Sequence, residues 1–166
     1  MNKGKYTLPS TNIDLLKSLI GKKIVKVRRQ IIKNEMNLDN FEQEADGPVE
    51  LTFDDHKVIS FIDWADPSSV GVADREMTIY GGEYLLMELT NNSFWQQRIE
   101  QKIVQVIILN DLGTSVDYPG EFGIEIEFEN NKQVCIEYAD DAVYSDVLRV
   151  SEKFERRQCK KQVIHK

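Results

Sequence analysis

Few residues in this chain have the type and spacing that catalysis requires. The two histidines are His56, in a predicted hairpin turn, and His165, next to the last residue. Cys135 and Cys159 stand far apart, so no cluster of Cys and His resembles a metal site. Glycine-rich phosphate-binding motifs and the nucleophile motif G-x-S-x-G are absent as well. We therefore expect no catalytic residue, no metal and no cofactor, and we expect that the protein is not an enzyme.

Acidic residues do cluster, most closely at Asp54 and Asp55, with Asp63 and Asp66 beyond them. Paired carboxylates can bind Mg²⁺ or Ca²⁺, but the D-x-D-x-D-G spacing of a calcium loop is missing. Aromatic residues beside acids suit a Lys- or Arg-rich partner, through cation–π contacts and charge-assisted hydrogen bonds. Trp64 beside Asp66 is the clearest example, although a ring at this position could instead cap the core.

These residues are carried by a sequence that repeats itself. Residues 21–27 resemble residues 100–106 at an offset of 79, and residues 49–53 resemble residues 124–128 at an offset of 75. The order is kept while the offset changes by a few residues, as differences in loop length would cause. This indicates a duplication. We predict a first α+β repeat unit at 1–88 and a second at 89–166, which together form one compact domain.

Hydrophobic periodicity predicts the elements of each unit. Alternation predicts that Phe53 and Phe128 face the core. The predicted elements are a helix at 11–20 and again from Ser93 to Ile99, a strand at 23–32 and 102–109, a hairpin at 49–61 and 124–136 with loops at 55–57 and 130–132, a fourth strand at 76–80 and 146–150, and a closing helix from Ser151 to Cys159. The predicted fold class is α+β, with two tandem pseudo-repeats, each a short helix followed by an antiparallel β-sheet, packed into one body.

Charge is unevenly distributed along the chain, whose formal net charge is -7. Counted from the sequence, residues 1–33 carry +8 and residues 149–166 carry +5, whereas residues 34–88 carry -12 and residues 103–148 carry -9. Either the basic segments lie against the acidic ones on a mixed surface, or the acidic segments form a negative face that attracts a cationic partner. Nucleic acid is not an expected partner, because the acidic middle would repel phosphate.

No membrane association is expected, because the longest nearly apolar stretch is far shorter than the roughly 20 residues of a membrane helix. The basic N-terminus lacks the apolar region of a secretory signal, so we expect a cytoplasmic location.

Two long connections fall at equivalent places in the repeat, at 28–48 and 107–123, and both are acidic. Long loops in compact domains often carry function, although extra length is also tolerated for its own sake. We therefore hypothesise that these loops and the hairpin ends form a partner-binding surface. The candidate partner-binding residues are Glu42, Glu44, Asp46, Trp64, Asp66, Asp117, Tyr118 and Glu121.

The segment from Leu16 to Phe61 contains L-x-x-L-I-G-K-K-I-x-x-V, then a long loop, then L-T-F-D-D-H-K-V-I-S-F. This pattern resembles small β-rich modules of bacterial proteins, some of which resemble the immunity partners of bacterial toxins. The resemblance covers most of the chain twice and implies a small, acidic, cytosolic immunity or antitoxin protein that neutralises a basic toxin. It supplies no active-site residues. The alternative is a housekeeping interaction or scaffold domain, which could form a homodimer.

Overall fold

A computed structural model describes residues 4–32, 47–64, 69–112, 120–139, 147–153 and 159–165. This part of the chain is mostly β-structure and forms two antiparallel five-stranded sheets. The first sheet contains β1 (Ile24–Ile32), β2 (Val49–Phe53), β3 (Val58–Trp64), β4 (Ser69–Ala73) and β5 (Tyr84–Glu88), in the order β4-β3-β2-β1-β5. The second contains β6 (Ile103–Asp111), β7 (Glu121–Phe128), β8 (Gln133–Ala139), β9 (Val147–Ser151) and β10 (Cys159–Ile164), in the order β10-β6-β7-β8-β9.

The predicted α+β class, with a helix-plus-sheet repeat, is wrong. A short 3-10 turn (Pro9–Asn12) leads into α1 (Ile13–Ser18), and α2 (Ser93–Gln96) is one turn long. Gly21, with φ 92°, lies just beyond α1 in a left-handed conformation that favours glycine. The apolar residues of this short segment pack against the sheets, with Leu16 and Leu19 in the core, so a longer helix is not required to bury them.

The closing helix expected from Ser151 to Cys159 is also replaced by strand at its described ends. Ser151 completes β9, and Cys159 begins β10, which pairs with β6. Because β10 contains two lysines and a glutamine, its sequence does not show the apolar alternation of a typical strand. Polar residues of this kind, lysine above all, are common on edge strands, where they oppose unwanted pairing with other chains.

The two sheets match each other in register as well as in strand order. Ile24 pairs with Phe53 in the first sheet and Ile103 with Phe128 in the second, and each pair is followed by a register shift. The sheets meet at an isolated bridge between Lys23 and Lys102. The repeating unit of this protein is therefore a five-stranded sheet. In each copy the last strand of the unit, β5 or β10, returns to form the edge beside its first strand, β1 or β6.

The hairpins expected at 49–61 and 124–136 are confirmed. The Phe53 amide donates to the Lys57 carbonyl, and the Phe128 amide donates to the Lys132 carbonyl, each at 2.9 Å. Each loop therefore has three residues, one position earlier than the sequence predicted. His56 (φ 70°) and Asn131 (φ 65°) occupy the left-handed position that such loops require, which explains His56 as a turn residue.

One hydrophobic core lies between the two sheets and includes Phe53 and Phe128, which are both buried as predicted. The same alternation places Glu125, Cys135 and Glu137 on the outward face of the second hairpin, but the structure shows these residues buried. A second, smaller apolar cluster of Ile107, Leu109 and Phe122 forms apart from the main core. The alternation of apolar and polar residues therefore correctly predicts the face that packs in the core, but it wrongly predicts that the opposite face is exposed.

Candidate functional site

Residues 74–82, here called the strap, cross the outer face of the first sheet between β4 and β5. A fourth strand was expected at 76–80, but the structure places it at β4, and the strap makes hydrogen bonds to side chains instead. The Ser60 hydroxyl donates to the Arg75 carbonyl at 2.9 Å, and the Met77 amide donates to Glu50 Oε2 at 3.0 Å. These bonds fasten the strap across β3 and β2.

Gln30 on β1 fixes the next part of the strap with both ends of its side-chain amide. Its Nε2 donates to the Thr78 carbonyl at 2.7 Å, and the Tyr80 amide donates to its Oε1 at 2.9 Å. Gln30 is fully buried, so these bonds are shielded from water. The backbone that carries the Tyr80 ring is therefore held in place.

A glycine turn brings a second tyrosine beside the first. Gly81 (φ 64°) and Gly82 (φ 58°) are both left-handed, and the Tyr84 amide donates to the Gly81 carbonyl at 3.0 Å. The rings of Tyr80 and Tyr84 lie with their centroids 5.5 Å apart and their planes at 46°. Tyr80 is 53% exposed, so much of its ring faces solvent.

The two rings border a cleft of about 350 Å³ at one end of the first sheet, here called the tyrosine cleft. Gly47, Pro48 and Ile62 also line it, together with the carboxylate residues Asp63 and Glu83. None of the described residues that line the tyrosine cleft is basic. Two aromatic rings and two carboxylates give this cleft the chemistry of a receptor for a cation.

The second sheet carries no copy of the tyrosine cleft among its described residues. The matching register places Cys159 at the position of Tyr84 and Glu137 at the position of Ile62. At the position of Pro48 stands Gly123, where an added Cβ would lie 3.1 Å from Glu137 Cβ and 3.2 Å from Leu109 Cδ1. Side-chain packing therefore fills the position in the second sheet that corresponds to the tyrosine cleft of the first.

Most of the predicted partner-binding residues lie outside the described part of the chain. These are Glu42, Glu44, Asp46, Asp66, Asp117 and Tyr118. Trp64 ends β3, where its backbone pairs with Ser69, but its side chain is not described. In the sequence, Asp46 directly precedes Gly47, so the acidic connection between β1 and β2 ends at the wall of the tyrosine cleft.

Glu121 is the one predicted residue whose side chain is described. Its carboxylate accepts hydrogen bonds from the Ser10 amide and the Ser10 hydroxyl, both at 2.6 Å. These bonds tie the 3-10 turn to the start of β7. In this structure the Glu121 carboxylate therefore has an internal role.

Of the two alternatives drawn from the charge pattern, the structure shows contacts of the first kind. Basic segments do lie against acidic ones in ion pairs such as Arg28 with Glu50 and Lys161 with Glu125. The tyrosine cleft, in contrast, keeps Glu83 exposed without a basic neighbour among its described lining residues.

Asp63 belongs to an acidic cluster that is evident in the sequence, but the tyrosine cleft was not predicted from it. The available signal was the run Tyr80-Gly81-Gly82-Glu83-Tyr84, in which two rings flank a tight turn and an acid. Assigning residues 76–80 to a strand concealed it, since a strand would have placed Tyr80 in a ladder.

No family model, no curated protein and no solved structure matches the chain. Its class therefore comes from its own geometry, as a protein of two packed β-sheets with an acidic, aromatic cleft on one of them. In the described ranges, no group of three His, Cys, Asp or Glu side chains could hold a metal ion. None of the helices in those ranges has the length and apolar character needed to cross a membrane.

Gly47→Ala is expected to lower the free energy of unfolding by about 1–3 kcal/mol, because a Cβ there would overpack the cleft wall. The new Cβ would lie 2.6 Å from the Gln30 carbonyl oxygen and 3.1 Å from Tyr84 Cε1. Urea denaturation measures the cost, and the NMR signals of the Tyr84 ring report its displacement. Gly123→Ala is the control and should leave the Tyr84 signals unchanged. Unchanged signals in Gly47→Ala would contradict the described wall.

Proposed function

We propose that this is a non-enzymatic protein that binds a basic protein partner through the acidic, aromatic end of its first sheet. In its concrete form it is an immunity or antitoxin protein that neutralises a basic toxin. The observation that carries the proposal is the tyrosine cleft, in which Tyr80, Tyr84, Asp63 and Glu83 line one opening without a described basic residue.

The chemistry of the tyrosine cleft suits association with a cationic surface. Aromatic rings attract cations through the negative charge density of their faces, and carboxylates add charge-assisted hydrogen bonds. The net charge of -7 also favours encounter with a positively charged partner, which accelerates association at low salt.

The aromatic side chains of the cleft support binding. Tyr80 is 53% exposed and Tyr84 is half-buried beside it. A cleft bordered by aromatic side chains is typical of recognition sites, where tyrosine is enriched.

The double substitution Asp63→Asn with Glu83→Gln is expected to slow association with the partner, because it removes two attractive charges from the cleft. The probe is the C-terminal domain of the protein encoded immediately upstream in the source genome, and stopped-flow mixing at low and high salt measures the rate. Asp14→Asn with Glu100→Gln changes the net charge equally at exposed sites outside the tyrosine cleft.

We expect the cleft variant to associate several-fold more slowly than the control at low salt, and we expect added salt to reduce that difference. Equal rates for the two variants would contradict a role for the cleft charges. Failure of the purified domain to form any complex would contradict the immunity proposal. Self-association of this chain in its place would favour the scaffold alternative.

A further inference from the structure

We infer that the tyrosine cleft is the receptor for one arginine side chain of the partner. This inference rests on the proposed function and specifies which group of the basic partner the site recognises. Its basis is the combination of two tilted tyrosine rings and the exposed Glu83 carboxylate around one opening.

Arginine matches this arrangement better than lysine does. A guanidinium group is flat, so it can stack on a tyrosine ring and still present the N–H groups at its edge to a carboxylate. It presents two parallel N–H donors to a carboxylate, whereas the lysine ammonium is a compact, strongly hydrated point charge. Tyr80 is 53% exposed, and the Tyr84 ring lies beside it with its centroid 5.5 Å away and its plane tilted by 46°.

The size of the cleft also favours a single side chain. Its volume of about 350 Å³ lies near the lower end of the range of roughly 300–1,000 Å³ for sites that enclose whole small ligands. The described part of the second sheet has no counterpart of the two rings, so the inferred arginine receptor lies on the first sheet.

The tyrosine cleft is preformed, which limits the entropy lost when a side chain enters it. Gln30 holds the backbone on both sides of Ile79, and the Gly81–Gly82 turn fixes the position of Tyr84 relative to Tyr80. The absent side chain of Gly47 lets the Tyr84 ring approach the backbone. A site held this way needs little rearrangement to bind, so a larger share of its contact energy appears as affinity.

The test is a titration of the ¹⁵N-labelled full chain with capped amino-acid amides, followed by NMR. Acetyl-arginine methylamide should shift the amide signals of Tyr80, Gly81 and Tyr84 in a saturable manner. The lysine analogue should bind several-fold more weakly, and the uncharged citrulline analogue should leave these signals in place. Equal shifts with lysine and arginine would overturn the selectivity for arginine.

Tyr80→Ala is expected to weaken binding of the arginine amide about three- to ten-fold, and Tyr80→Phe should retain most of it, because the ring face remains. Ile79→Ala removes a neighbouring side chain that is also half exposed and should leave the affinity unchanged. Loss of binding in Tyr80→Phe, or none in Tyr80→Ala, would overturn the stacking contact.

Two further outcomes separate this inference from the proposed function. If the upstream-encoded domain binds but the arginine amide shifts no cleft signal, the arginine receptor is wrong and the partner proposal stands. If the arginine amide binds but no basic protein does, the proposed function fails instead.

Discussion

Phe128→Ala is expected to lower the free energy of unfolding by about 3–5 kcal/mol, the range for truncation of a buried phenylalanine. The Phe128 side chain is 1% exposed and lies in the core between the two sheets. Alanine would leave a cavity there that neither sheet can close, because each is held by its own ladder of hydrogen bonds. Urea denaturation at neutral pH measures the loss.

Two substitutions calibrate the Phe128 result. Phe53→Ala, at the matching position of the first hairpin, should cost a similar amount, because Phe53 is equally buried. Val104→Ala removes a side chain that is 51% exposed on β6 and should change stability by less than about 0.5 kcal/mol. If Phe128→Ala lowered the free energy of unfolding no more than Val104→Ala does, the placement of Phe128 on the core-facing side of β7 would be contradicted.

Glu50→Gln is expected to lower the free energy of unfolding at neutral pH by about 2–4 kcal/mol. The Glu50 carboxylate is 3% exposed and accepts hydrogen bonds from Arg28 Nε at 2.7 Å, Arg28 Nη2 at 2.9 Å and the Met77 amide at 3.0 Å. The substitution leaves the Arg28 guanidinium without its counter-charge and weakens the bond that fastens the strap. Urea denaturation at neutral pH measures this cost as well.

The pKa of Glu50 predicts how this contribution depends on pH. Burial alone would raise the pKa, but the hydrogen bonds from Arg28 and Met77 together hold it below its usual value. Because the folded pKa lies below the unfolded one, the carboxylate stabilises the fold above the unfolded pKa. That stability is lost as the pH falls through the folded pKa. The difference between wild type and Glu50→Gln should therefore shrink on acidification.

Glu125 provides a matched control, because the register places it in the second sheet where Glu50 stands in the first. Burial, reinforced by Glu127, raises the pKa of Glu125 despite the Lys161 ammonium group, whose Nζ lies 3.6 Å away. Its ionised form is therefore unfavourable in the folded protein, and stability is lost as the pH rises through the folded pKa. Glu125→Gln should leave the stability at neutral pH unchanged or raise it. A large loss for Glu125→Gln, or none for Glu50→Gln, would contradict this account.

The sequence predicted the strands and hairpins that are closest to the core. Ile124, Ile126 and Phe128 alternate with acids, and this pattern alone indicates which face of the strand packs in the core between the sheets. The edge strand β10 could not be predicted in the same way, because its lysines stand where an edge tolerates them. The helix expected at 11–20 covers only Ile13–Ser18, after a 3-10 turn, because apolar spacing indicates the buried face of a helix and not where its regular hydrogen bonding begins and ends.

The tyrosine cleft could not be predicted because it depends on contacts between residues distant in sequence. Gln30 and Tyr80 meet only after β1 and the strap have been placed across one another. Gly47 joins them because the acidic connection between β1 and β2 ends there. Sequence periodicity describes faces of single elements, whereas this site is formed where three elements converge.

The central claim is that a basic partner binds at the tyrosine cleft, and hydrogen–deuterium exchange on the complex with the upstream-encoded domain tests it most directly. We predict slower exchange at the backbone amides of Gly47, Tyr80, Gly81 and Tyr84 in the complex than in the free protein, with little change along β8 and β9. Protection confined to the second sheet, with unchanged exchange at these four amides, would contradict the account.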